Sequence, residues 1–171
     1  MTVFYLFFTS IVLQRLCELA IAKRNEKWMK NAGGREFGQN HYYLIIFIHT
    51  LFLMSFLLEV TVADKVLSPA WPGIFLFFCL TQCVRLWAIK SLGRFWNTKI
   101  MVVPGASIIK NGPYRFLKHP NYFVVALEFI LIPFLFQAYF TAIVFTLLNT
   151  VILTIRISAE EKALALYYRT E

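Results

Sequence analysis

The sequence predicts an all-α integral membrane protein with about five transmembrane helices and a cytoplasmic cap over a C-terminal helical hairpin. Hydrophobic residues make up 59% of the 171 residues, charged residues only 15%, and the net charge is +8. A soluble domain is typically about 45–50% apolar and about 25% charged, and a disordered chain is poor in hydrophobic residues. A nucleic-acid-binding module would not surround its basic residues with so many Phe and Leu, so we expect no nucleic acid partner.

The helices are placed by the lengths of the apolar runs. A bilayer core of about 30 Å needs roughly 20 apolar residues per helix. Three runs predict helices over residues 3–22, 41–60 and 70–89. The fourth run, residues 122–155, is too long for one helix, and Pro133 would bend or end a helix there. We therefore divide it near Gln137 and Ala138 into two helices joined by a tight turn.

The first apolar run has one feature of a signal peptide, because Ala20-Ile21-Ala22 resembles a cleavage site. However, no Lys or Arg precedes the run, and Arg15 and Glu18 interrupt it where an uninterrupted apolar region would be needed. We therefore expect a retained helix.

The basic residues predict the orientation. With five helices, the loops rich in basic residues and the C-terminal tail all fall on one side of the membrane. The loops after the second and fourth helices fall on the other side, and Lys65 is their one basic residue. The positive-inside rule then places the N-terminus outside and the C-terminus in the cytoplasm. The residues counted on the cytoplasmic side are Lys23, Arg24, Lys27, Lys30, Arg35, Lys90, Arg94, Lys99, Lys110, Arg115, Lys118, Lys162 and Arg169.

The segment from Lys90 to Asn121 is the longest polar stretch. A loop of about thirty residues in a compact protein is usually functional or disordered, and this one is rich in aromatic and branched residues, including Trp96 and Tyr114. We expect a folded cap packed on the cytoplasmic helix ends.

The fourth and fifth predicted helices bring polar residues together at the cap. The fourth begins with His119-Pro120-Asn121-Tyr122, and a helix start favours an anion. The fifth ends with Arg156 and the pair Glu160-Glu161. Because the two helices form an antiparallel hairpin, these groups should meet and suit a zwitterionic ligand. A plain helix start and an Arg156–Glu160 salt bridge on one face are the alternatives.

Six ionisable residues lie at membrane depth, where charges are costly and usually face the bundle interior. Arg85 and Glu128 are the functional candidates, and a structural ion pair is an equal alternative for them. We expect a local Arg15–Glu18 pair and a hydrogen-bonded packing role for His49, and no cluster has metal-ligand spacing. The six are Arg15, Glu18, His49, Glu59, Arg85 and Glu128.

These residues, in this order, resemble the isoprenylcysteine carboxyl methyltransferase family of membrane enzymes. The resemblance covers the C-terminal half well and the two front helices more loosely. Lys118 stands where the family usually has Arg. The matching elements are Arg85-Leu86-Trp87, residues 92–97, Gly112-Pro113-Tyr114-Arg115, His119-Pro120-Asn121-Tyr122, Glu128, Pro133, Asn149, Arg156, Glu160, Glu161 and Leu164.

The resemblance implies one methyltransferase domain over residues 1–171, with front helices in 1–89 and a cofactor-binding core in 90–171. It implies S-adenosylmethionine as the methyl donor, with S-adenosylhomocysteine as its product. It also implies that Arg156 orients the acceptor's oxygen, with Glu128 and Arg85 as further catalytic candidates. The residues expected at the cofactor are His119, Tyr122, Asn121, Lys118, Tyr114, Glu160 and Glu161.

The acceptor implied by the resemblance is lipophilic and enters between helices from the bilayer. The short chain is similar to bacterial family members that O-methylate long-chain alkylpyrones or alkylresorcinols, in the cell membrane. A prenylcysteine-like carboxylate is the alternative acceptor. Two other functions stay open: an NADPH-dependent membrane reductase, because sterol reductases carry a related H-P-x-Y region, and a non-enzymatic membrane scaffold or small transporter.

Overall fold

The computed structural model describes residues 1–168 and contains five α-helices within them. Four are long and apolar enough to cross a membrane, and α4 is a shorter apolar helix of 16 residues. The predicted all-α membrane architecture is confirmed, while Arg169, counted among the cytoplasmic basic residues, lies outside the described residues. The helices are α1 (Thr2–Asn31), α2 (Gln39–Val62), α3 (Trp71–Leu92), α4 (Pro120–Leu135) and α5 (Tyr139–Tyr168).

Helix α1 extends nine residues past the predicted end at residue 22. The apolar run ends there, but Lys, Arg, Glu and Met are good helix formers, so the helix continues as a polar extension. Lys30 and Glu26, four residues apart on this extension, form an ion pair of 2.6 Å. The helix ends before Gly33, whose φ of 81° is the left-handed conformation that often terminates helices.

The cap is folded, as predicted, and is built around a small sheet that was not predicted. Strand β1 (Arg35–Phe37) pairs antiparallel with β2 (Ile100–Val102). Ile100 and Val102 of β2 are buried against Ala163 of α5. This packing holds the segment after α3 against the cap end of α5.

The turn between α4 and α5 lies where the sequence predicts it. Helix α4 ends at Leu135, and Gln137 adopts a left-handed φ of 55°. The Ala138 N–H donates to the Pro133 carbonyl at 2.9 Å, which closes the turn. The two helices therefore run antiparallel, and the start of α4 lies beside the end of α5.

The helices pack in the order α3 on α4, α4 on α5 and α5 on α2. An aromatic core fills the half of the bundle remote from the cap, where the Phe4 ring contacts Phe56 and Phe136 edge-on and Phe52 stacks on Phe129 at 4.3 Å. Because that half is packed with aromatic side chains, the open space in the bundle lies toward the cap.

Candidate functional site

A cavity of about 440 Å³ lies between the cap and the helices. Ligand pockets typically measure about 300–1,000 Å³. All five helices and β2 contribute to its walls. Two groups of polar lining residues, which we call the cap end and the membrane end, lie at its opposite ends. The cap end comprises Tyr114, His119, Asn121, Tyr122, Arg156 and Glu160, and the membrane end comprises Arg15, Glu18, His49, Arg85 and Glu128.

Tyr122 links α4 to α5 at the cap end. Its hydroxyl donates a hydrogen bond to the Glu160 carboxylate and accepts one from Arg156 Nε at 3.2 Å. The predicted meeting of the α4 start with the α5 end is therefore confirmed. The alternative of an Arg156–Glu160 salt bridge is wrong for the described residues, because the phenol of Tyr122 connects the two side chains instead.

The Arg156 guanidinium is buried and held at two of its three nitrogens. Besides the bond to Tyr122, its Nη2 donates to the Thr98 carbonyl of the cap at 2.6 Å. Its Nη1 is buried and has no hydrogen-bond partner among residues 1–168. A buried donor without a partner costs roughly 1–3 kcal/mol. The site thus contains a fixed cation with one terminal nitrogen unpaired among the described residues.

His119 contributes a ring at the start of α4. It stacks on the Tyr122 ring at 5.4 Å, and its Nε2 lies 3.4 Å from Glu161 Oε1. The Lys118 ammonium lies 3.9 Å from the same carboxylate, but its side chain is 87% exposed. Lys118 lines the cavity and Glu161 does not, and both side chains are exposed, so they lie outside the buried group.

Tyr114 and Asn121 form the remaining contact at the cap end. The Asn121 amide donates to the Tyr114 hydroxyl at 3.0 Å, and both side chains line the cavity. Burial, together with the nearby Glu160 carboxylate, raises the pKa of the Tyr114 phenol well above its ordinary value. Tyr114 is therefore a neutral hydrogen-bonding group at physiological pH.

Lys99 lines the cavity beside the cap end, a role that the sequence did not predict. Its ammonium donates to Glu26 at 2.9 Å and to Glu36 at 3.2 Å. Burial alone would lower the pKa of Lys99, but the two hydrogen bonds and the charges of these carboxylates outweigh it and raise the pKa. Lys99 thus ties the cap to α1 and β1.

The membrane end contains a closed square of alternating charges. Arg15 lies 2.8 Å from Glu18 and 2.5 Å from Glu128, and Arg85 lies 2.8 Å from Glu18 and contacts Glu128 as well. We call these four residues the charge square. The ion pair expected as an alternative for Arg85 and Glu128 is confirmed, and so is the local Arg15–Glu18 pair.

The sequence did not reveal that these two pairs are one cluster. Gln14 and Gln82 complete it by donating to Glu18 and Glu128 at 2.9 and 2.8 Å. The available signal was that two Arg and two Glu lie at similar distances from the predicted cytoplasmic ends of three helices.

Within the described part of the chain, no group of three or more His, Cys, Asp or Glu could hold a metal ion.

Comparison with known proteins adds a family match. The sequence model described as the isoprenylcysteine carboxyl methyltransferase (ICMT) family matches residues 74–166. The uncharacterized protein YpbQ of Bacillus subtilis is 48% identical over 164 residues, covering 96% of this chain and 98% of that protein. An uncharacterized protein of Haemophilus influenzae is 25% identical over 159 residues, covering 92% of each. No solved structure matches the chain.

Proposed function

Because the chain belongs to the isoprenylcysteine carboxyl methyltransferase family, a family of membrane methyltransferases, we propose that it O-methylates an anionic oxygen on a lipophilic acceptor. The methyl donor in this proposal is S-adenosylmethionine. The observation that carries the proposal is the buried Arg156 guanidinium, which lines a cavity that extends from the cap to membrane depth and whose Nη1 has no hydrogen-bond partner among the described residues.

The groups at the cap end suit this cofactor. S-adenosylmethionine would supply a methyl group bound to a sulfonium sulfur. Transfer of that methyl group to an oxyanion would leave S-adenosylhomocysteine, in which the sulfur is neutral. Glu160 and Glu161 supply negative charge for its cationic groups, and the His119–Tyr122 ring pair supplies an aromatic surface. Helix α4 begins with Pro120 and has no side-chain cap, so its positive end suits a carboxylate. Lys118, Tyr114 and Asn121 complete the proposed binding set.

Arg156 would orient the acceptor oxygen. Tyr122 and the Thr98 carbonyl hold the guanidinium plane, so Nη1 is the donor left for an oxyanion. An acceptor that is already an anion needs no strong general base. Catalysis would then rest mainly on alignment of the reacting atoms, which can contribute up to roughly 7–11 kcal/mol. Arg85 and Glu128 would act less directly, as the ionic wall at the membrane end.

The apolar walls of the cavity suggest how a lipophilic acceptor enters. Helices α1 and α2 line it with Ile11, Val12, Ile45 and Leu53. Leu16 and Ile46 also line it and are exposed on the lipid-facing surface. We therefore propose entry from the bilayer between α1 and α2, with the polar head at the cap end. The favoured acceptor is a long-chain alkylpyrone or alkylresorcinol, and the alternative is a prenylcysteine-like carboxylate.

The test is transfer of radiolabel from S-adenosylmethionine to lipids in membranes that contain the protein. Label in an alkali-resistant ether supports a pyrone or resorcinol acceptor, and alkali-labile label indicates a carboxyl ester. Membranes with an Arg156→Lys variant provide the matched control, since the charge stays but the fork-shaped donor set is lost. Saturable cofactor binding without any labelled lipid would contradict the proposed acceptor class.

We also propose that the cap faces the cytoplasm of a bacterial cell, where the basic residues of the cap and of α1 would contact anionic lipid headgroups. The positive-inside rule supports this orientation. A membrane-impermeant thiol reagent applied to intact cells should label a cysteine placed at Asp64 and spare one placed at Lys110. The reverse pattern would contradict the orientation.

A further inference from the structure

The cavity contains polar groups at membrane depth that methyl transfer at the cap end does not use. We propose that Arg15 and His49 bind a neutral hydroxyl group in the lipophilic part of the acceptor. This inference rests on the proposed function for the identity of the ligand as an acceptor. It adds a chemical requirement: the apolar portion of the ligand carries a second polar group.

All four members of the charge square line the cavity, and Arg15 is the most exposed of them. Its side chain is 23% exposed, against 6% for Arg85, 10% for Glu18 and 2% for Glu128. It uses one N–H of each terminal nitrogen for the two carboxylates. Its other guanidinium donors make no hydrogen bond to any described residue. Arg15 therefore offers donors to a group inside the cavity.

His49 offers the complementary group from α2. Its Nδ1 lies 2.9 Å from the Ile45 carbonyl, which can only accept, so Nδ1 carries the proton in this contact. In the neutral ring the other nitrogen, Nε2, is then an acceptor, and it has no partner among the described residues. The ring edge packs against Phe129 at 4.9 Å, which fixes its orientation.

A hydroxyl group matches this pair better than a charged group does. It can accept from Arg15 and donate to His49 Nε2. An anion would approach Arg15 only by also approaching Glu18 and Glu128, because the square holds two cations and two anions in direct contact. Charge balance therefore disfavours a second anionic group at this end of the cavity.

The two ends of the cavity are separated by a distance that an extended chain can span. Tyr122 at the cap end and Glu128 at the membrane end are six residues apart on α4, which is about 9 Å along the helix axis. Tyr122, Val125, Phe129 and Ile132 form a continuous α4 wall between and beyond them. A ligand whose oxyanion binds at Arg156 would therefore carry the hydroxyl group well inside its own apolar chain.

A purely structural square would not need this arrangement. The contacts among Glu18, Arg85 and Glu128 already join α1, α3 and α4. Arg15 and His49 both line the cavity, and each keeps polar atoms that have no hydrogen-bond partner among the described residues. Both residues precede the part of the chain that the family model matches.

The test measures binding, so it does not depend on methyl transfer. The full chain is placed in phosphatidylcholine nanodiscs and titrated with a bromine-labelled secondary alkanol or with a bromoalkane of the same length. Trp96 lines the cavity, so bound bromine quenches its fluorescence, and a Trp96→Phe protein supplies the background. The two affinities are compared after correction for partition of each probe into empty nanodiscs.

We expect the wild type to bind the alkanol about five- to tenfold more tightly, as one or two hydrogen bonds predict. His49→Phe and Arg15→Lys should reduce that preference to about one while binding of the bromoalkane persists. His49 lies outside the charge square, so the His49→Phe variant carries the test if Arg15→Lys fails to fold. Equal binding of both probes by the wild type would overturn the inference, and so would a preference retained in His49→Phe. If the wild type preferred the alkanol but transferred no methyl group to lipids, the result would count against the proposed function and not against this inference.

Discussion

The Tyr122 hydroxyl on α4 donates to the Glu160 carboxylate on α5, across 38 positions of the chain. Arg156 reaches the same hydroxyl, so one phenol orders both charged groups of the proposed cofactor site. A variant that lacks the Tyr122 hydroxyl but keeps the aromatic ring therefore tests whether this hydroxyl orders the site.

Tyr122→Phe should raise KM for S-adenosylmethionine by about tenfold, because hydrogen bonds to charged groups contribute roughly 1.5–3 kcal/mol. The aromatic stacking on His119 is retained, so folding should be little affected. The measurement is initial rate against cofactor concentration in the lipid-labelling assay. Tyr43→Phe, at a 70% exposed residue outside the cavity, is the control. An unchanged KM would show that the phenol does not order the site.

Arg156→Lys should lower kcat/KM for the lipid acceptor by about a hundredfold, the typical cost of losing one oxyanion donor. Lysine keeps the charge but cannot hold Thr98 and Tyr122 while presenting a third nitrogen. Affinity for S-adenosylhomocysteine, measured by calorimetry, should change much less. Exposed Arg24→Lys is the matched control. Equal losses in cofactor affinity and in turnover would assign Arg156 to the cofactor rather than the acceptor.

Glu128→Gln should destabilise the protein by about 3–5 kcal/mol, because it leaves two guanidinium groups sharing one carboxylate at membrane depth. Thermal unfolding in detergent measures the loss. Asp64→Asn, in the exposed loop after α2, should have little effect. The double variant Arg85→Gln/Glu128→Gln should recover part of the loss, since it removes the uncompensated charge. A stable Glu128→Gln protein would contradict the ionic account of this cluster.

The ion pairs of Lys99 should make the stability of the protein depend on pH. Its pKa is raised in the folded state by Glu26 and Glu36, against the opposing effect of burial. Its contribution to stability is therefore complete below the ordinary lysine pKa of about 10.4 and is lost as the pH rises through the higher folded value. Lys99→Gln should lower Tm by a few degrees at pH 7–9, and the difference should shrink above that range.

Lys110→Gln, at an exposed lysine of the cap, should show no such difference in Tm at any pH. If the gap between wild type and Lys99→Gln stayed constant up to strongly alkaline pH, the ammonium would not be its cause.

The helix count and the α4–α5 hairpin were predictable because both depend on local sequence. Apolar runs set the spans, and Pro133 marks the division of the last run. Consecutive antiparallel helices must bring Tyr122 near Arg156, so the core of the cap end followed from topology. The polar extension of α1 was missed because hydropathy marks where a membrane span ends, while backbone helicity continues through Lys and Glu.

The contribution of α1 to the site could not be predicted from the same information. The sequence does not indicate which non-consecutive helices pack together, so the ion pairs Arg15–Glu128 and Arg85–Glu18 could not be predicted. The Thr98 carbonyl that holds Arg156 has no side-chain signature, because any residue presents a backbone carbonyl. The β1–β2 pairing was missed because each strand is only three residues long and the two are separated by α2 and α3.

The most direct test of the central claim is calorimetric titration of the detergent-solubilised protein with S-adenosylhomocysteine and, separately, with NADPH. We predict saturable binding of one S-adenosylhomocysteine per chain, at least about tenfold weaker in Glu160→Gln, and no saturable binding of NADPH. Saturable binding of NADPH with no response to S-adenosylhomocysteine would contradict the methyltransferase assignment of this site.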